Sequence, residues 1–179
     1  MKKAMFLAVA ACLIFAACGN NGGNTKENKD NKEVEEPKVE VVIPDNFTEY
    51  DCSGFTINYP NDLEVTWDGD EMVNLSNDDG SVFIDATFSE WGSREIQLKK
   101  TVKDFIGLLG NQGWEAVGEP EVKGSVATAL LKNDEEFNNF FIISNGKDHT
   151  VSGSVKYDKE LAEVYDAYVM PIIYSIKVK

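Results

Sequence analysis

Residues 137–155, Phe137-Asn-Asn-Phe-Phe-Ile-Ile-Ser-Asn-Gly-Lys-Asp-His-Thr-Val-Ser-Gly-Ser-Val155, decide the fold. The centre of Phe137–Ser144 is apolar at successive positions, so both faces of this strand meet a core and it belongs in the middle of a sheet. Asn145-Gly146 follows, and Asn-Gly is the dipeptide that most readily takes up the left-handed backbone of a two-residue hairpin. Val151, Gly153 and Val155 then alternate with polar residues, as the return strand requires. The heart of the chain is therefore an antiparallel hairpin, with the lone histidine, His149, expected in its solvated loop.

Moving toward the N-terminus, Lys132-Asn-Asp-Glu135 is a turn and Val126–Leu131 a further strand, with a short one at Glu121–Val122. The period then changes. Leu98, Val102, Phe105, Ile106 and Leu109 fall on one face of a helix over 97–110, with Gly110 and Gly113 as its stop. Thr101 and Asp104 have capping-box spacing, which would delay its start. Earlier still, Asn77-Asp78-Asp79-Gly80 reads as a turn between Val73/Leu75 and Val82/Ile84/Ala86/Phe88. Leu63, Val65 and Trp67 alternate in the same way, which places Trp67 among core residues. Phe55-Thr-Ile-Asn-Tyr59 is a half-buried strand broken by Pro60. No spacer in this half is long enough for a helical crossover, so its strands should be antiparallel.

Toward the C-terminus, Asp158 is placed to cap a helix whose apolar face is Leu161, Val164, Tyr165, Tyr168, Val169 and Ile172. Pro171 should kink or end it, leaving Ser175–Lys179 extended. Two helices with one apolar face each must cover a sheet. The fold class is α+β: a mostly antiparallel sheet flanked by two helices.

Gly54-Phe-Thr-Ile-Asn-Tyr-Pro60, the hairpin after it, the mid-chain helix, three antiparallel strands and a last helix ending in Ser175-Ile-Lys-Val178 together resemble the PsbP-like family over about residues 47–179. That family includes the extrinsic oxygen-evolving protein of photosystem II, a Ran-binding nuclear transport factor and bacterial lipoproteins of unassigned role. The resemblance implies an α/β/α sandwich and a role in binding other proteins. It carries over no active-site positions.

The first residues are an address. Lys2 and Lys3 precede an uncharged run, Ala4–Ala17, too short for the ~20 apolar residues of a membrane-spanning helix and suited to a secretory signal peptide. Phe15-Ala16-Ala17-Cys18-Gly19 resembles the lipobox of bacterial lipoproteins, with Phe15 where an aliphatic residue is usual. The resemblance implies cleavage before Cys18 and diacylation of its sulfur. The alternative is ordinary signal cleavage that leaves Cys18 as a thiol. Acyl chains contribute ~0.8 kcal/mol per buried methylene, so two or three of them anchor stably. Residues 1–17 are thus read as the signal peptide, 18–45 as the lipidated cysteine and a polar stalk, and 46–179 as one globular domain. Treated as random coil, the stalk spans roughly 25–30 Å. Gly19 is not an acidic retention residue, so the outer membrane is favoured over the plasma membrane.

The 179 residues carry a net charge of −14, and −16 once Lys2 and Lys3 are removed. Such a chain repels phosphate backbones, which excludes nucleic acid as partner. Of three cysteines, Cys12 leaves with the signal and Cys18 carries lipid, so Cys52 is left without a disulfide partner and reads as a small buried hydrophobe. His149 beside Ser144, Ser152 and Asp148 makes no nucleophile elbow. There is no phosphate-binding glycine loop, and Arg94 is the single arginine. No catalytic residue and no cofactor site is read from the sequence. Asp68, Asp70, Glu71, Asp78 and Asp79 are the weak candidates for a hard cation, although Asp and Gly are equally what turns use. Trp91 and Trp114 flank the first helix and are the candidate partner contacts; Cys18 is the lipid attachment site. The expectation is a lipid-anchored, non-catalytic binding or accessory module of the bacterial envelope acting through a protein partner. A metal- or small-ligand-binding lipoprotein is the alternative, and a wall hydrolase with paired carboxylates is the third reading.

Overall fold

The computed structural model describes residues 41–90 and 97–179, which lie in one compact unit. The expectations for residues 1–40, Cys18 among them, and for Trp91 and Arg94 fall outside the described residues.

Strands β1 (Phe47–Asp51), β2 (Phe55–Pro60), β3 (Glu64–Asp68), β4 (Met72–Ser76) and β5 (Val82–Glu90) precede helix α1 (Leu98–Gly110). After it come β6 (Glu115–Ala116), β7 (Glu121–Lys123), β8 (Val126–Lys132), β9 (Glu136–Ser144) and β10 (His149–Asp158). A turn of 3-10 helix, Lys159–Leu161, leads into α2 (Ala162–Ser175) and β11 (Lys177–Val178).

The main sheet has the order β3-β4-β5-β10-β9-β8-β6, with β7 also on β8, and every pairing is antiparallel. The chain turns at Asn145-Gly146 as expected, but through a four-residue loop, 145–148, in place of a two-residue one. The Asn145 side-chain oxygen accepts from the backbone N–H of Lys147, Asp148 and His149, and Gly146 sits at φ +76°. β10 lies between β9 and β5, so the strands on either side of α1 join there. Gly153 is obligatory at that junction, because a Cβ would run into the Asp85 carbonyl on β5 and the Phe141 ring on β9.

The two faces of the sheet carry separate cores. Val73, Leu75, Val82, Ile84, Phe141, Val151 and Val155 face α2 and a second, three-stranded sheet of order β1-β2-β11. On the opposite face Ala127, Ala129, Leu131, Phe140 and Ile142 meet Val102, Leu98, Ile106 and Leu109 of α1. The alternation Phe140/Phe141/Ile142/Ile143 between these cores is why β9 reads as apolar on both sides.

Several expectations are corrected. The Phe55–Tyr59 strand belongs to the small sheet and pairs with β1, which shows no alternation because only Phe47 and Tyr50 are half-buried. α1 starts at Leu98, and Thr101 donates to the Gln97 carbonyl at 3.2 Å instead of capping. α2 runs through Pro171 to Ser175. It buries Tyr165, Val169, Ile172 and Ile173, each contributing roughly 1.5–3 kcal/mol, which outweighs the ~3 kcal/mol of an interior proline. Val164, expected on the buried face, is half exposed. Asp158 precedes the helical turn but makes no side-chain cap. Trp67 is 54 % exposed: the ladder between β3 and β4 slips between Val65 and Trp67, so Val65 opposes Leu75 but Trp67 opposes Asn74. Such a bulge turns the following side chain to the other face.

Candidate functional site

The two groups of acidic residues singled out in the sequence sit at opposite ends of β4. Asp68, Asp70 and Glu71 lie at the β3–β4 turn and Asp78 and Asp79 at the β4–β5 turn. A five-residue strand separates them by roughly 17 Å. The Asp68 carboxylate beside the Tyr50 phenol, and then burial, push that phenol up to about 12. Asp79 accepts from the Ser81 backbone N–H at 3.0 Å; hydrogen bonds from Ser81 lower its pKa. Both acids are thus engaged in local turn and strand contacts. Among the described residues, no three His, Cys, Asp or Glu side chains gather where they could hold a metal ion.

The other residues singled out have individual surroundings. Trp114 is half-buried against the α1 core. Cys52 is buried, its Sγ 3.7 Å from the carbonyls of Gly69 and Asp70. His149, expected in a solvated loop, is instead the half-buried first residue of β10. Its ring lies 5.0 Å from that of Phe88 and its Nδ1 lies 3.2 Å from the Lys179 carbonyl oxygen.

The structure brings together a surface centred on α1. Residues 97–132 hold five lysines and four acids, whereas the rest of residues 47–179 holds six basic and twenty acidic groups, a net −14. Lys100 pairs with Asp104, Lys103 with Glu119 and Lys123 with Glu121, all exposed. In this neutral lobe Phe105, Leu108, Val117 and Val122 are exposed, Leu108 to 59 %. A shallow depression of about 640 Å³ lies between Val122, Leu98 and the lysines of the first helical turns. Helical spacing puts Lys99 and Lys103 on the flank toward β7, and Thr101, Phe105 and Leu108 on the other. Phe105 stacks on Phe140 of β9 at 4.6 Å.

Beyond that second flank the sheet continues through β10, β5, β4 and β3. α1 packs on β8, β9, β6 and β7, and α2 packs from the other side. Register places Ser154, Asp85, Asn74 and Trp67 in one row across the four strands on the α1 side. Lys156 reaches the Asp85 carboxylate at 3.7 Å and the Phe83 ring at 5.4 Å. Burial raises the Asp85 carboxyl above its usual range, against the pull of Lys156. The Asn74 Oδ1 is buried without a hydrogen-bond partner. Nothing in the sequence marks this row, because it exists only once four strands are in register.

The fold is PsbP-like. The chain is similar to cyanobacterial PsbP (CyanoP) from Synechocystis sp. PCC 6803, with a TM-score of 0.57 and 13 % identity over 75 % of this chain and 93 % of that one. It is also similar to a variant of the protein Mog1, with a TM-score of 0.53 and 15 % identity over 74 % of this chain and 96 % of that one. The Ran-binding protein Mog1p of Saccharomyces cerevisiae overlaps with a TM-score of 0.49 and 16 % identity, over 74 % of this chain and 95 % of that one. No protein-family model matches the chain, and no curated protein matches its sequence.

Proposed function

We propose that this chain is a lipid-anchored, non-catalytic binding or accessory module of the bacterial cell envelope, and that it docks a protein partner on the α1 lobe. Its layers are those of an α/β/α sandwich of the PsbP-like type. The observation that carries the reading is the contrast between a neutral lobe with four exposed large apolar side chains and the strongly acidic remainder. Interfaces place apolar anchors in a centre depleted of charge, and a surrounding field of one sign steers a partner of the other sign. The partner is therefore a protein with a basic rim around an apolar patch. Acyl chains on Cys18, following the lipobox-like Ala16-Ala17-Cys18, hold the module at the membrane, with the outer membrane favoured. The split of the acidic residues between the two ends of β4 disfavours the cation-binding alternative.

The test is a cross-linked pull-down from cells with the full lipidated chain as bait, beside Cys18→Ala and Leu108→Glu. One dominant envelope protein, lost in both variants and weakened by salt, is the expected result. A dominant protein captured equally by Leu108→Glu removes the α1 lobe from the reading, and an equal yield with Cys18→Ala removes the anchor.

A further inference from the structure

The half of the sheet face that neither helix covers among the described residues has a composition unlike that of the α1 lobe. Ser76, Thr87 and Ser152 are half-buried there among Asn74, Asp85 and Lys156. The register sets Trp67 at one end of the row and Ser154 at the other, three strand spacings away, or roughly 14 Å. The indole is not loose: a Cβ on Gly69 would lie 3.2 Å from its Nε1, so the ring edge rests over the glycine. Lys156 meets Asp85 only at 3.7 Å, longer than the ~2.7–2.9 Å of a tight charge-assisted bond. Both groups retain about a third of their exposure and therefore the capacity to bond something else.

What fits such a face is set by what it offers. β4, β5 and β10 are each paired on both sides. Their backbone groups are used in the ladder, so a peptide strand could add only along the outer edge of β3 and not across the face itself. The face speaks only through side chains: hydroxyls, one amide, one carboxylate, one ammonium, the half-buried Met72 and Phe83, and an exposed aromatic ring at the end. A sugar ring has an apolar C–H face that lies on an aromatic ring and a rim of hydroxyls that both donate and accept. We infer that this face is a saccharide-binding site. A pyranose stacks on Trp67, and its neighbour donates hydroxyls to Asp85 and accepts from Lys156. The site is separate from the α1 lobe and does not depend on a protein partner being found there.

The test follows the indole N–H of Trp67 by nuclear magnetic resonance in the full chain, its signal assigned through Trp67→Phe. The probes are soluble tetrasaccharides of glucose, of N-acetylglucosamine and of galacturonic acid. A saturable shift with at least one of them at millimolar concentration is expected, with affinity reduced about tenfold or more by Asp85→Asn and by Lys156→Met. Thermal melts of these variants report their folding, and Asp85→Asn preserves side-chain shape should Lys156→Met unfold. No saturable shift with any of the three probes overturns the inference. So does a shift that Asp85→Asn and Lys156→Met leave undiminished while both remain folded.

Discussion

Asn138 shows how far one residue can depart from what its position demands. It is fully buried on the α1 side of β9, opposite Leu131 and Lys156, and neither its amide oxygen nor its amide nitrogen meets a hydrogen-bond partner in the protein. An unpaired buried polar group costs about 1–3 kcal/mol, and an apolar side chain of similar volume removes that cost. Asn138→Leu is therefore expected to raise the unfolding free energy by about 1–2 kcal/mol in a denaturant titration with unchanged slope. A loss of stability of that size would show that the amide is bonded in solution. The same scale shows where reading the sequence stops. Gly153 is plainly a strand residue in the sequence, but the collision that makes it obligatory involves Asp85 and Phe141, far away in the chain. Trp67 has perfect alternation with Leu63 and Val65, and one slipped residue in the ladder turns it out to solvent. Periodicity says which residues share a face only while the register is regular.

Among the elements, the central hairpin, both helices and the turns at Asn77–Gly80 and Lys132–Glu135 were legible because each has a local cause: a period, a stop, or a turn residue. β1 and the small sheet were not, since β1–β2 and β2–β11 pairings draw their order from the burial of Phe55 and Ile57 under α2. That helix is tied down by two phenols. Tyr157 of β10 donates to Asp166 at 2.6 Å, and Tyr165 of α2 donates to Asp62 at 2.9 Å. Burial first, and then the bonded carboxylate, pushes both phenols far above their ordinary value. The sign follows from linkage. In the unfolded chain these groups lose their protons near pH 10, while the folded chain still holds them. Their contribution is thus complete below about pH 10 and is lost as the pH rises above it. Stability should be flat across neutral pH and fall steeply in alkali. Tyr157→Phe and Tyr165→Phe should lower stability at pH 7 and flatten the alkaline fall, as measured by urea titrations at a series of pH values. A wild-type curve that stays flat above the ordinary phenol pKa would show that both phenols ionise freely in the fold.

At the scale of the whole molecule, the decisive quantity is charge, which is fully legible in the sequence, and its placement, which is not. Residues 47–179 have 24 acidic and 11 basic groups, and the deficit lies outside the α1 lobe. Two effects of salt then compete. Screening weakens the repulsion among the twenty acids of the remainder, which favours the compact state. It also weakens ion pairs, but Lys100–Asp104, Lys103–Glu119 and Lys123–Glu121 are exposed on both sides, and exposed pairs contribute only ~0.2–1 kcal/mol each. The repulsive term has many more members, and at about 0.15 M salt the Debye length shrinks to ~8 Å, comparable with the spacing between neighbouring acids on one surface. Self-repulsion therefore governs, and raising sodium chloride from about 0.01 M to 0.15 M should raise the melting temperature by several degrees, with ~2–8 °C corresponding to each kcal/mol recovered for a domain of this size class. Replacing Lys100 and Lys103 by Gln should leave that salt response nearly unchanged, because neither residue belongs to the repelling part. Scanning calorimetry of the two proteins at both salt concentrations measures each slope. A melting temperature that falls with salt would mean that the ion pairs of the α1 lobe outweigh the repulsion of the rest.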